Sequence, residues 1–189
     1  MMTRDECLDI LHRYRRNDVV VVTTMGCVRP WFALSNSRLD FPSAGSAMGH
    51  AADFAMGIAL AQPSRQVWAL NGDGSMLMSL GTLVTISQTP PPNLVLFVFQ
   101  NDTFEVTGNQ PIPGAGSISM TQIAHGAGFA RVHEFREKTV LEEKMPLILK
   151  EAGPTFINLR IEPGREPPPK LDYPLSQVAA ELRAALREE

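Results

Sequence analysis

Two short apolar runs on either side of a helical pattern constrain what this chain can fold into. Gln66-Val67-Trp68-Ala69-Leu70 and Asn93-Leu94-Val95-Leu96-Phe97-Val98-Phe99 show little polar alternation, as expected of strands buried on both faces. Between them Ser75, Met76, Leu77, Leu80, Leu83 and Val84 recur at helical spacing, and Pro90-Pro91-Pro92 ends the pattern. A strand-helix-strand unit of this length takes a right-handed crossover, so its strands are parallel and their carboxyl ends emerge side by side. Val19-Val20-Val21-Val22 supplies an earlier buried strand. The expected fold is α/β in three layers, a mainly parallel central sheet with helices on both faces.

Polar residues gather at those carboxyl ends. Gly72-Asp73-Gly74-Ser75 follows the first run, and Asn101, 28 positions after Asp73, follows the second. The N–H groups of Gly74 and Ser75 are expected to point outward from a helix N-terminus, where an anion is favoured. A hard cation such as magnesium needs oxygen ligands and commonly keeps substrate phosphate oxygens among them. A carboxylate, an amide oxygen, a backbone carbonyl and diphosphate oxygens meet that need. Gly-Asp-Gly alone is equally a tight turn, since short glycine motifs recur by chance.

Taken with Gly45-Ser46-Ala47-Met48-Gly49, Asn71-Gly72-Asp73-Gly74-Ser75-Met76-Leu77-Met78, Thr107-Gly108-Asn109-Gln110 and Gly153-Pro154-Thr155-Phe156-Ile157, the chain resembles the diphosphate-binding domain of thiamine diphosphate enzymes. Within that family it is similar to the sulfopyruvate and phosphonopyruvate decarboxylase group, over residues 19–163. The resemblance implies that Asp73 and Asn101 are side-chain ligands of Mg2+ and that the carbonyl of Thr103 is the main-chain ligand. It implies cofactor contacts from Gly72, Gly74, Ser75, Asn101 and Thr103, and from Thr24 and Gly26 in the loop that follows the early strand. Met48 matches the large apolar residue beneath the bent cofactor, and His50 is a candidate catalytic residue beside the substrate. Two positions depart from the pattern: Gln100 stands where a first Asn is common, and Thr103 where a glycine often occurs.

Further residues carry open alternatives. Glu105, Gln110 and the Pro- and Gly-rich stretch 111–116 correspond to a lid over the diphosphate, with Glu105 equally a solvated charge. His125, at apolar helical spacing, is expected at the surface. Arg29 and Arg38 are candidate donors to a sulfonate or phosphonate group, or ordinary surface residues. The helix expected between Met48 and Ala61 is built of small residues, which suits a close helix pair at a subunit contact or burial within the monomer.

The family's complete enzymes need a second domain, which supplies the glutamate that hydrogen-bonds the pyrimidine ring, and 189 residues leave no room for it. The expectation is a separate pyrimidine-binding subunit of alpha type, within a dimer of this chain or a heterotetramer. The activity implied is decarboxylation of a small 2-oxo acid; the alternatives are a carboligase of the acetolactate synthase type and a cofactor-binding module without turnover.

Composition excludes several other classes. A formal net charge of -3 gives no nucleic-acid footprint, and two cysteines, Cys7 and Cys27, are too few for an iron-sulfur cluster or a disulfide framework. No segment is long enough to span a membrane, and the amphipathic start through Cys7, Leu8, Leu11 and Tyr14 lacks a signal peptide's apolar core, so a cytoplasmic location is expected. The binding domain is expected over residues 1–165. A Pro-rich linker and an amphipathic helix carrying Leu175, Val178, Ala179, Leu182, Ala185 and Leu186 occupy 166–189, the helix packing on its own domain or on a partner.

Overall fold

The computed structural model describes residues 1–42, 48–164 and 174–188. In chain order its strands are β1 (Val20–Thr23), β2 (Asp40–Pro42), β3 (Val67–Gly72), β4 (Leu94–Gln100), β5 (Thr103–Phe104), β6 (Gln110–Pro111), β7 (Arg131–Phe135) and β8 (Thr155–Arg160). Its helices are α1 (Arg4–Tyr14), α2 (Val28–Leu34), α3 (Ala51–Ala61), α4 (Asp73–Leu77), α5 (Gly81–Gln88), α6 (Met120–Gly126), α7 (Lys138–Ile148) and α8 (Leu175–Ala185). Six strands form one sheet in the order β2-β1-β3-β4-β8-β7, with every pairing parallel. A separate antiparallel hairpin, β5 with β6, follows the carboxyl end of β4.

Strand periodicity explains the three layers. Successive side chains of a strand point to opposite faces. Val20, Val22, Val67, Ala69, Leu94, Leu96 and Val98 face α3, α5, α6 and α8, through residues such as Ala55, Leu83, Ala124 and Leu182. Val21, Trp68, Leu70, Val95, Phe97 and Phe99 face α1, α2 and α7, through Leu8, Trp31 and Leu141 among others. With apolar layers on both sides, the strands need no polar alternation. Trp68 and Phe97 meet edge to face across the second layer, 5.6 Å between ring centroids.

The N-terminal helix begins where its capping chemistry directs. The Thr3 hydroxyl accepts from the N–H of Glu6, whose carboxylate accepts from the N–H of Thr3, so α1 starts at Arg4. Its buried face is Cys7, Leu8, Ile10 and Leu11. At the other end of the chain, Leu182 and Ala185 of α8 join the core beside β2, so this helix packs on its own sheet.

One element differs from its sequence pattern. The stretch 75–84 is two helices, α4 and α5, because the chain turns at 78–80. The Ser79 hydroxyl donates to the carbonyl of Gly49, and the N–H of Thr82 closes onto the Ser79 carbonyl at 3.0 Å. Apolar spacing is the same on both sides of such a break, so periodicity alone does not reveal it.

Candidate functional site

β3 and β4 end together, and Asp73 leaves one as Asn101 leaves the other. Asp73 is 2 % exposed. Its Oδ2 accepts from the N–H groups of Asn101 at 3.0 Å and Asp102 at 2.7 Å, and its Oδ1 from that of Gly74 at 2.7 Å. Asp102 directs its N–H inward from φ 61°, a left-handed conformation that Asp tolerates. Burial pushes the Asp73 carboxyl up to about 6, against the opposing pull of those N–H groups. A carboxylate accepts about four hydrogen bonds, so one direction remains open, and among the described residues no cation pairs with Asp73. A buried carboxylate in this state suits a cation ligand.

The Asn101 amide is fixed at both ends. Its Oδ1 accepts from the N–H of Thr103 at 3.0 Å, and its Nδ2 donates to Glu105 Oε2 at 2.9 Å. Glu105 is buried, not solvated: the same Oε2 accepts from the N–H of Gly164 at 2.9 Å, and Oε1 pairs with the Arg4 guanidinium. Burial works against the charge of Arg4, but the negative groups around it, Glu105 foremost, outweigh burial and the guanidinium is held above its ordinary value. Arg4 comes from the first turn of α1, about a hundred residues from Glu105 in sequence.

These side chains share a cavity of about 110 Å3, below the roughly 300–1,000 Å3 usual for a small-molecule pocket. Gly26, Gly72, Asp73, Gly74, Ser75, Asn101, Thr103 and Met48 all line it. Its rim is apolar and open, with Met48, Met78 and Val106 each 40 % exposed or more. The floor is shaped by close approach. A Cβ on Gly74 would lie 2.7 Å from the Phe104 ring of the β5–β6 hairpin, and one on Gly49, at φ 86°, would lie 2.9 Å from the Ser79 hydroxyl. The N–H of Gly49 donates to the Ser75 hydroxyl at 2.9 Å, which ties the segment before α3 to the start of α4.

Other expected positions fall elsewhere. His50 is outside the cavity; its side chain is 64 % exposed and its Nδ1 lies 2.7 Å from Asp53 Oδ2 at the start of α3. Thr24 is fully buried behind the lining, and its hydroxyl has no hydrogen-bond partner among the described residues. Arg38 pairs with Glu188 at 2.9 Å on the surface, and Arg29 is not part of the lining. The N–H of Gly74, expected to point outward at an anion, is taken by Asp73 instead. Gly45, Ser46 and Ala47, and the linker from Arg165 to Pro169, lie outside the described residues. Among the described residues no group of three or more His, Cys, Asp or Glu could hold a metal. Of the two carboxylates in the cavity Glu105 is already paired with Arg4, so the oxygens on offer are those of Asp73, an amide and backbone carbonyls, a set that fits Mg2+ carrying phosphate oxygens of its own.

Parallel strands whose carboxyl ends present a buried carboxylate and a fixed amide define a ligand-binding α/β domain of the doubly wound class. The sequence profile described as thiamine pyrophosphate enzyme, C-terminal TPP binding domain, matches residues 24–159, and the chain belongs to that family. It is 34 % identical to the phosphonopyruvate decarboxylase of Streptomyces viridochromogenes over 86 % of its own length, but spans only 40 % of that relative. It is 27 % identical to the sulfopyruvate decarboxylase subunit beta of Methanococcus maripaludis, over 99 % of both chains. A solved Rhodococcus jostii RHA1 structure, a thiamine diphosphate-dependent 4-hydroxybenzoylformate decarboxylase, shares the fold with a TM-score of 0.75 at 21 % identity, over 87 % of this chain and 33 % of that one. No helix among the described residues is long and apolar enough to cross a membrane.

Proposed function

We propose that this chain is the thiamine diphosphate- and Mg2+-binding subunit of a 2-oxo acid decarboxylase of the sulfopyruvate or phosphonopyruvate type, and that a pyrimidine-binding subunit completes each site. The observation that carries this reading is Asp73, a buried carboxylate gripped by three backbone N–H groups beside the fixed amide of Asn101. In this reading Asp73 Oδ1, which accepts one hydrogen bond where Oδ2 accepts two, holds the metal with Asn101 Oδ1 and the Thr103 carbonyl. Gly72 leaves space for the diphosphate, since a Cβ there would meet nothing within 4 Å. Ser75 offers its hydroxyl proton, because its oxygen already accepts from Gly49.

When bound, thiamine diphosphate supplies the electron sink for loss of carbon dioxide. The chain's own residues bind, orient and shield. The β5–β6 hairpin brings Phe104 over Gly74 and excludes water from one side, and Met48 and Val106 provide apolar walls. The small cavity and exposed apolar rim support a second polypeptide as the other wall. Relatives named as a subunit beta, the methanococcal protein among them, support the same division.

Calorimetric titration of the full chain with thiamine diphosphate, with and without Mg2+, tests the reading. Metal-dependent binding that disappears in Asp73→Ala is the expected result. Metal-independent binding, or binding unchanged in Asp73→Ala, would overturn it.

A further inference from the structure

Glu105 is a charged side chain that the proposed site does not use, yet it lies 7 % exposed within the same cavity. Its carboxylate collects donors from three separate parts of the chain: Arg4 at the start of α1, Asn101 after β4, and the N–H of Gly164 beyond β8. Arg4 and Gly164 both lie outside the segment 24–159 that matches the family profile. A buried carboxylate persists only when paired and hydrogen-bonded, and here the pairing has a direction.

An amide side chain has an oxygen end and an amino end of nearly the same shape. A cation is attracted to the first and repelled by the second, so an Asn that ligates a metal must be held in one of two orientations. The Thr103 N–H demands an acceptor, and the Glu105 carboxylate demands a donor. Only the observed orientation, Oδ1 toward Thr103 and Nδ2 toward Glu105, satisfies both. Arg4 in turn neutralises Glu105, which lets a second carboxylate sit close to Asp73 and to a diphosphate.

We infer that Glu105 is a positioning residue that fixes the Asn101 amide with its oxygen presented to the metal, and that Arg4 serves this role by balancing the charge of Glu105. The inference rests on the metal-binding reading of Asp73 and Asn101. Groups that orient metal ligands typically change metal affinity about 10- to 100-fold when removed.

The experiment has two arms, both on the full chain. In the metal-free protein, the side-chain amide resonances of Asn101, identified by their loss in Asn101→Ser, are expected to exchange slowly with solvent; in Glu105→Leu they exchange faster and move to free-amide positions. In the presence of thiamine diphosphate, the Kd for Mg2+ is expected to rise about 10- to 100-fold in Glu105→Leu. The double variant Arg4→Met/Glu105→Gln separates positioning from simple structural support. It has no ion pair, but with the cation gone the Gln oxygen can face Asn101, so the Mg2+ affinity should return to within a few-fold of the parent. An unaltered Asn101 resonance or an unaltered Kd in Glu105→Leu overturns the inference, as does a double variant as weak as Glu105→Leu although folded by thermal melting. Absence of any Mg2+-dependent binding in the parent chain overturns the underlying reading instead, and this inference with it.

Discussion

The backbone N–H of Asn101 donates to Asp73 Oδ2 at 3.0 Å although the two residues are 28 positions apart in the chain. That bond joins the ends of two parallel strands. It also makes the ionisation of one carboxylate a property of the whole site.

The first prediction concerns stability and pH. Asp73 has its carboxyl raised to about 6 from 3.8, because burial penalises the charged form. Between those values the native state binds more protons than the unfolded state, so stability falls as pH rises. The contribution is fully present below about pH 4, is lost through about pH 6, and totals on the order of 3 kcal/mol. Thermal melting of the metal-free chain across this window should show the loss, and Asp73→Ala should lack it. Parallel pH profiles for the two proteins would refute the assignment.

Metal binding should depend on pH in the opposite sense. On the proposed reading a proton and Mg2+ compete for the Asp73 carboxylate, so affinity is expected to weaken up to tenfold per unit as pH falls below about 6 and to level off above it. Titration with Mg2+ and thiamine diphosphate between pH 5 and 8, roughly spanning that point, checks this.

Gly74→Ala places a Cβ against the Phe104 ring, 2.7 Å away. Overpacking of this kind costs about 1–3 kcal/mol, and the hairpin must shift off the cavity. Cofactor affinity is expected to fall, and Phe104→Leu in the same chain to recover part of it. A Gly74→Ala protein with parental stability and affinity would mean that the hairpin does not press on the site.

Gln100 occupies the place of the expected first Asn, and its longer side chain is put to use. Its Nε2 donates to Asp102 Oδ1 at 2.8 Å, and its Oε1 accepts from Asn158 Nδ2 at 2.8 Å. Gln100→Leu removes both bonds where Gln100 is 1 % and Asn158 0 % exposed. The expected loss is about 1–3 kcal/mol per unsatisfied group, measured by denaturant unfolding. Weaker Mg2+ binding should accompany it, because Asp102 supplies an N–H to Asp73.

Cys7 and Cys27 are buried, and burial pushes both thiols up to about 12. Neither should react with a thiol reagent at neutral pH while the chain is folded. Labelling at the rate of global unfolding is the expected result, and rapid labelling of either would contradict the packing around α1.

The parallel sheet and the meeting of Asp73 with Asn101 were legible because they depend on local signals. Apolar runs of strand length, a glycine turn and a crossover of fixed hand place those residues together whatever surrounds them. The N-terminal helix was legible only as an amphipathic pattern, and its start was not read, although the Thr3 and Glu6 pair that caps it lies in the sequence. The turn at 78–80 was hidden, because it depends on a hydrogen bond from Ser79 to Gly49, 30 positions away.

Sequence by itself determined the strand-helix-strand frame, the buried faces of its strands and the spacing of Asp73 and Asn101, since these follow from periodicity and turn chemistry within short stretches. Tertiary structure alone decided that His50 turns to the surface while Glu105 turns inward, and that Arg4 meets Glu105 from 101 positions away. Whether a charge is buried depends on the desolvation it suffers and the partners that offset it. Those partners come from α1, β4 and the segment after β8, which only the folded chain brings to one point.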